Sequence, residues 1–311
     1  MKFLLSLLLS FTVTSSAFAF DPCAPGDKAS YEPIATRYTR GLMFRIEKCH
    51  ADPSHILGTM HTDNPATIKR VSYAFDTLAT AKVAVFEIIT GEHTQGEIAR
   101  YMLYPPENKG LLEVAGQVRF GRLVALLRES QPNFQPAFVN RYRPWAASVL
   151  LSFPPMVADG VVLDEKLQGF AREKGIPTKG LESVDQQFKA FTQMSLSQQL
   201  SMLDDSLNRN DEIKAMNNRL FSEYRRGDMV KINALGEESF SDLEDKDLAD
   251  ALKQALLIDR NAHMTKTMQP YLNEGNAFVA IGALHLWGAD GVLARLEKAG
   301  YFVFVEKPVE Q

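Results

Sequence analysis

The chain has 311 residues, 23% of them charged, and a formal net charge of −4 at neutral pH. This length is sufficient for one large domain or two small ones. The small net charge, with no run of Lys or Arg, gives no support to a nucleic-acid partner or to an acidic membrane surface as a partner.

The first twenty residues, MKFLLSLLLSFTVTSSAFAF, combine one basic residue, an apolar core and the small-residue triplet Ala17-Phe18-Ala19. This pattern is typical of a secretory signal peptide, here residues 1–19, with cleavage after Ala19. A membrane anchor is the alternative, but the apolar run is shorter than the roughly 20 residues that a span needs. A lipoprotein would need a cysteine at the cleavage point, and Cys23 lies beyond it. We therefore expect a periplasmic or secreted protein with no membrane span after cleavage.

The chain has two cysteines, Cys23 and Cys49. In an oxidising compartment two cysteines most simply form one disulfide, which would contribute roughly 3 kcal/mol by closing a loop of this size. A metal site is the alternative, because His50 and His55 are close in sequence, but there is no CxxC motif. The sequence therefore predicts a Cys23–Cys49 disulfide that fixes the N-terminal arm.

Two strand-like segments come next, MFRIEKC and HILGTM. The turn-like residues 50–54 lie between them, so the pair predicts a β-hairpin. The segment that begins at Pro65 has apolar residues at helical spacing, with the proline in the first turn, and predicts a helix. KVAVFEII is then continuously apolar up to Glu87, as in a buried strand.

Residues from about 94 to 271 are predicted to be mostly helical, because GRLVALLRES, LSQQLSMLDDSL and LADALKQALLIDRNAHMTKTMQPYL have apolar positions every three or four residues. A short strand, IPTKGLE, is expected after the helix LDEKLQGFAREKG. The acidic segment GEESFSDLEDKD is expected to be a solvated connection. No Gly-rich or Ser-rich linker divides the chain. We therefore predict a single domain over residues 20–311 with a large helical insertion at about 94–271.

The same short motif occurs near both ends of the chain, as Gly58-x-x-His61 and Gly282-x-x-His285. Each copy follows a strand-like run and precedes a helix-like stretch and a second apolar strand. Glycine permits a tight turn, and both imidazoles would then lie at the C-terminal ends of strands, where open α/β sheets build their sites. A right-handed crossover would place Glu87 beside the first unit. Either histidine alone would be an ordinary turn residue, but the repeated context indicates a shared site in one sheet.

Four further residues are candidates for chemistry. Glu87 and Glu182 end apolar strands, where a carboxylate is costly unless it meets a cation or a metal. The alternatives are a solvent-facing strand end for Glu87 and a helix-dipole interaction for Glu182. Arg260 and Asn261 are adjacent on a predicted helix, so they should point toward different partners, and the arginine could pair with a carboxylate. His263 competes as a ligand but is more simply a helix-surface histidine. The remaining histidines, which we interpret as ordinary polar residues, are His50, His55 and His93.

In chain order, LGTMHTDNP, KVAVFEI, RPW, GLESVDQQF, LLIDRN and AIGALHLWGADGVLARLEKAGY resemble the TraB/GumN family. That family belongs to a wider group with the Tiki metalloproteases, and erythromycin esterase and haem-binding ChaN-like proteins are more distant relatives. The resemblance covers about residues 40–306. It implies an α/β fold, with a mixed, largely parallel central sheet flanked by helices and the site at the strand ends. GVVLDEKL, around Asp164, departs from the shorter Gly-Leu-Asp pattern that we associate with the family and leaves the role of Asp164 open.

The resemblance also implies a metal-dependent hydrolase that acts on peptides. By matching motifs, His61, His285 and Glu87 would be the metal ligands. The catalytic group would comprise Glu87, Glu182, Arg260 and Asn261.

Elementary chemistry is consistent with such a site. Imidazoles and carboxylates suit Mn²⁺, Co²⁺ or Zn²⁺, any of which could be lost on purification. A bound ion would lower the pKa of its water from about 16 to roughly 7, and a carboxylate that is not a ligand could act as general base. The chain has neither the HExxH motif of common zinc proteases nor G-x-S-x-G. Two alternatives are a periplasmic haem or metal carrier and a peptide-sequestering protein. The sequence leaves open the substrate (peptide or small molecule), which glutamate is ligand or base, and the oligomeric state.

Overall fold

The structure is a computed structural model that describes Cys23, residues 38–153 and residues 157–306. The predicted signal peptide lies outside these residues, so it stays a prediction. Within the described ranges, no helix combines the length and the apolar character that crossing a membrane requires.

Six strands form one sheet, in the order β4-β3-β5-β2-β1-β6. The neighbouring pairs β4–β3, β3–β5 and β5–β2 are parallel, whereas β1 is antiparallel to both β2 and β6. The predicted hairpin is confirmed as β1 and β2, and the predicted mixed, largely parallel sheet is confirmed as well. The strands are β1 (Met43–Glu47), β2 (Ser54–Thr59), β3 (Val83–Phe86), β4 (Thr178–Gly180), β5 (Ala277–Gly282) and β6 (Phe302–Glu306).

Helices cover the sheet and form most of the region between β3 and β5. A π-helix (Gln254–Ile258) joins α13 to α14, and a short 3-10 helix (Ala283–His285) follows β5. The α-helices are α1 (Pro65–Arg70), α2 (Tyr73–Ala79), α3 (Glu92–Met102), α4 (Leu111–Ala115), α5 (Gln117–Ser130), α6 (Pro136–Val139), α7 (Pro144–Ser152), α8 (Leu163–Glu173), α9 (Val184–Thr192), α10 (Leu196–Asn208), α11 (Asn210–Arg226), α12 (Met229–Ser241), α13 (Lys246–Lys253), α14 (Asp259–Glu274) and α15 (Val292–Lys298).

Two apolar clusters explain how these elements pack. The larger lies on the sheet and includes the fully buried Phe44, Ile56 and Phe278. The smaller joins α4, α5, α7 and α10 and includes Leu123 and Leu203. The amphipathic helices of the middle region therefore bury their apolar faces partly against one another and not only against the sheet.

One local expectation was wrong. The first half of GEESFSDLEDKD is not a connection, because residues 236–241 complete α12. Arg219 of α11 donates to Glu238 at 2.8 Å, and Lys253 of α13 pairs with Glu237. Cations on the two flanking helices thus offset the acidic run, which lets it remain helical.

Strand order decides which residues can form a site. The parallel strands β4, β3, β5 and β2 are neighbours, and they end just before Glu182, Glu87, His285 and His61, respectively. Because the strands are parallel, all four residues lie along the same edge of the sheet. Our expectation that β3 lies directly beside the first Gly-x-x-His unit was wrong, because β5 lies between β2 and β3.

Candidate functional site

Glu87 lies at the centre of the row of strand ends. Its Oε1 accepts a hydrogen bond from the Gly282 amide at 2.6 Å, and its Oε2 accepts from Arg260 Nη2 at 2.7 Å and from Gln187 Nε2 at 3.3 Å. Burial alone would raise the pKa of Glu87. His285, which is protonated at the acid pH where Glu87 titrates, stabilises the carboxylate together with Arg260 and the Gly282 amide, and the resulting pKa is lowered to about 2. Glu87 is therefore ionised at neutral pH.

Arg260 connects the two glutamates. Its Nε and Nη2 atoms donate to Glu182 Oε2 at 2.9 and 2.7 Å, and the same Nη2 reaches Glu87. The side chains of Arg260 and Glu182 are only 13% and 1% exposed. The guanidinium thus faces two carboxylates at once, and if all three groups are ionised, one negative charge remains unbalanced.

His285 is held by Asn261, which follows Arg260 but points to a different partner, as expected. The Asn261 Nδ2 group donates to the Asp290 carbonyl at 3.0 Å, which leaves its Oδ1 to accept from His285 Nδ1–H at 2.7 Å. His285 Nε2 therefore carries the lone pair, and it lies 3.9 Å from Glu87 Oε1. Burial lowers the pKa of His285 to about 4, so the ring is neutral at pH 7.

His61 lies in a more open position, with 56% of its side chain exposed. Its Nδ1 is 3.8 Å from Asp164 Oδ2, and its ring contacts Phe153 with 5.7 Å between centroids. The interaction with Asp164 raises the pKa of His61 against the opposing effect of burial, and the charge of Glu87 adds to the rise. In both motif histidines, Nδ1 therefore faces a side-chain oxygen of a neighbouring residue.

The donor atoms fit a divalent ion in part. Glu87 Oε1 and His285 Nε2, at 3.9 Å, are close to the spacing of about 3.0 to 3.4 Å for two ligands that each lie about 2.1 Å from one ion. An ionised carboxylate and a neutral imidazole whose other nitrogen is hydrogen-bonded are a suitable pair of ligands. The ligand atoms of His61, Glu87 and His285 do not all lie within 4.8 Å of one another, so the three-ligand site stays a prediction.

One other group of potential metal ligands lies close together. Among the residues that the structure describes, the only set of three or more His, Cys, Asp or Glu side chains with ligand atoms within 4.8 Å of one another is Cys23, Cys49 and His50. The two sulfurs are joined, so the predicted disulfide is confirmed and this set is not a metal site.

The other candidate histidines are accounted for by ordinary contacts. His263 Nε2 lies 3.1 Å from the Leu181 carbonyl, and the exposed His93 lies 3.3 Å from Glu97 on the same helix. Sequence reasoning did not identify Gln187, which contacts Glu87 from α9, and it left Asp164 open. Asp164 lies in the first turn of a helix next to the site, and this position is the signal from which it could have been predicted.

Comparison with known proteins identifies the family of the chain. A search of curated proteins and a search of solved structures each found no match. The model of the family described as TraB/PrgY/gumN matches residues 42–303, a range that includes all the site residues described above. The chain therefore belongs to the TraB/PrgY/gumN family.

Proposed function

We propose that this protein is an exported, metal-dependent hydrolase that acts on peptides, with its site at the ends of β3, β5 and β2. The observation that supports the proposal most directly is the pairing of an ionised Glu87 with the unprotonated Nε2 of a buried, neutral His285 at 3.9 Å. A carboxylate oxygen and an unprotonated imidazole nitrogen this close together form an environment that favours a cation.

Charge also favours a cation. Arg260 contacts both Glu87 and Glu182 but can offset only one of them, and Asp164 adds a further carboxylate beside His61. Buried carboxylates in excess of their cations are costly unless another positive group binds. A divalent ion held by Glu87, His285 and His61 would supply that charge.

The ion would polarise a substrate carbonyl group and activate water for attack. The protein's own residues have separate tasks. Glu182, at 1% exposure and held by two guanidinium nitrogens, fixes Arg260. Arg260 in turn keeps Glu87 ionised and orients its Oε1 toward His285. Asn261 keeps the Nε2 lone pair of His285 directed at the site. We therefore assign Glu87 as the ligand and Glu182 as a supporting residue.

Export is supported by two independent features. The N-terminal pattern is that of a signal peptide, and a disulfide such as Cys23–Cys49 is typical of proteins in an oxidising compartment. N-terminal sequencing of protein from the native host should show Phe20 as the first residue. Protein that retains Met1 would contradict export.

The test of function compares the wild type with Glu87→Gln and His285→Ala. His263→Ala is the matched control, because His263 lies outside the Glu87–His285 pair. Each protein is stripped with a chelator, then titrated with Mn²⁺, Co²⁺ or Zn²⁺ and assayed on a peptide library. We expect metal-dependent cleavage by the wild type and His263→Ala, and a loss of at least about 100-fold in metal affinity in the other two variants.

Two results would change the proposal. Metal binding that depends on His285 but is accompanied by no cleavage would replace the hydrolase with a metal carrier. Cleavage that is the same in all four proteins, with or without metal, would place the chemistry elsewhere. Circular dichroism of each variant ensures that a lost activity does not reflect a lost fold.

A further inference from the structure

We infer that Asp164 is a positioning residue, which holds the His61 imidazole through Nδ1–H and so presents Nε2 of His61 to the site. The inference rests on the metal-dependent function proposed above. It assigns a role to the residue that sequence analysis left open.

Asp164 is itself fixed in place. It lies in the first turn of α8, and its Oδ1 accepts a hydrogen bond from Thr59 Oγ1, at the end of β2, at 2.6 Å. The preceding residue of α8, Leu163, donates its amide to the Thr62 carbonyl at 3.0 Å. The loop that contains His61 is therefore tied to α8 on both sides of the histidine.

A third tie joins the same two segments. Asp63, with only 1% of its surface exposed, accepts hydrogen bonds from the amides of Val157, Ala158 and Gly160, just before α8. The carboxylate of Asp164 thus faces His61 from a rigid support.

The charge of Asp164 favours one tautomer of His61. Because Thr59 occupies Oδ1 of Asp164, the other oxygen, Oδ2, is the one that faces His61 Nδ1, at 3.8 Å. This distance is longer than a hydrogen bond. A carboxylate oxygen can only accept, however, so its negative charge favours the proton on the nitrogen that faces it. The lone pair of neutral His61 is then on Nε2.

The arrangement parallels that of His285. There the Oδ1 atom of Asn261 accepts from Nδ1–H, and Nε2 is free. Burial helps to hold His285, at 7% side-chain exposure, whereas His61 is 56% exposed and needs an external constraint. A carboxylate partner also makes an imidazole a stronger donor to a metal than an amide partner does.

The test uses Asp164→Asn, which keeps the acceptor for Thr59 but removes the negative charge, with Glu165→Gln as the matched control. Glu165 is the next residue and also acts on His61 through its charge, but it neither hydrogen-bonds to the ring nor forms an ion pair with it. Ring nitrogen chemical shifts of His61, measured by NMR in metal-free protein above its pKa, report the tautomer. Binding of Mn²⁺ and Co²⁺, measured by calorimetry, reports affinity.

We expect Nδ1–H in the wild type and in Glu165→Gln, and a shift toward Nε2–H in Asp164→Asn. Metal affinity should fall by about 10- to 100-fold in Asp164→Asn and by less than about threefold in Glu165→Gln. Thr59→Val, which frees the carboxylate without changing its charge, should give an intermediate loss and serves as a second test if Asp164→Asn does not fold.

The outcomes separate the inference from the proposed function. If the wild type binds metal and Asp164→Asn is unchanged in both tautomer and affinity, the inference is overturned and the function stands. If the wild type binds no metal, the proposed function fails. The tautomer then decides the inference alone, and an Nδ1–H form that does not depend on Asp164 overturns it.

Discussion

Replacing Arg260 with methionine removes the guanidinium that Glu87 and Glu182 share while keeping a side chain of similar length in a helix. Glu182 is 1% exposed and Glu87 is 19% exposed, so neither carboxylate gains much contact with water in exchange. Removing one partner of a buried charge pair costs about 3–5 kcal/mol, because the remaining charge stays buried without compensation. We expect the free energy of unfolding at pH 7 to fall by about that amount.

The loss should depend on pH in a definite direction. In the wild type, the lowered pKa of Glu87 means that its contribution to stability is complete above the ordinary value of 4.5 and disappears as the pH falls through about 2. In Arg260→Met, burial acts against the charged form with no guanidinium to oppose it, so the pKa of Glu87 rises. The destabilisation should therefore be greatest at pH 7 and smaller near pH 4, where the Glu87 carboxylate of the variant can bind a proton.

Urea unfolding followed by tryptophan fluorescence measures both effects, and Arg119→Met is the matched control. Arg119 also donates two hydrogen bonds to one carboxylate, that of Asp204, at 2.7 and 2.8 Å, but both side chains are 38% exposed. An exposed pair of this kind contributes at most about 1 kcal/mol. Equal losses in Arg260→Met and Arg119→Met, or a loss in Arg260→Met that is the same at pH 7 and pH 4, would refute the reasoning.

Two other predictions concern residues away from the pair of glutamates. Burial, with the charge of the cross-strand neighbour Arg45, lowers the pKa of His55 from 6.5 to about 4. Between these two values the unfolded chain binds a proton at His55 and the folded protein does not. The free energy of unfolding should therefore fall as the pH drops from about 6.5 to 4. The urea midpoint should fall less steeply with decreasing pH in His55→Gln than in the wild type. Part of the pH dependence should remain, because His285 titrates in the same way. A pH dependence that is unchanged in His55→Gln would contradict the assignment. Asp63→Asn should speed amide hydrogen exchange at Val157, Ala158 and Gly160 by at least about tenfold, because the carboxylate that accepts these three amides is lost. Exchange in the sheet serves as the reference.

The strand-end placement of the histidines could be predicted from sequence, although the role of the glycines differs from the expected tight turn. Neither Gly58 nor Gly282 has a positive φ. A Cβ on Gly58 would come within 2.6 Å of Leu286 Cδ1, and one on Gly282 would lie 3.3 Å from Glu87 Oε1. The close approach of neighbouring groups therefore favours glycine at both positions.

Other features depend on contacts between distant parts of the chain and could not be predicted from local pattern. Nothing in KVAVFEII or AFVAIG indicates that β5 lies between β2 and β3, because two buried parallel strands have the same apolar character. Asp164 and Gln187 have ordinary positions in amphipathic helices, and only the packing of α8 and α9 brings them to His61 and Glu87. A local pattern predicts which residues end a strand, but the partners of those residues come from the topology.

The order of the four strand ends gives the site its asymmetry. Neighbouring strands lie about 4.8 Å apart, so Glu182 on the β4 side is about 10 Å of sheet away from the β5 end that bears His285. Arg260 enters on the β4 side and faces Glu182 with both Nε and Nη2, but it reaches Glu87 with Nη2 alone. The β4 side therefore balances its own charge, whereas Glu87 retains an oxygen that faces the lone pair of His285. The negative charge that is not offset by Arg260 therefore lies between the ends of β3 and β5, where a cation would bind. His61, which follows β2, is the next ligand donor along the same row of strand ends.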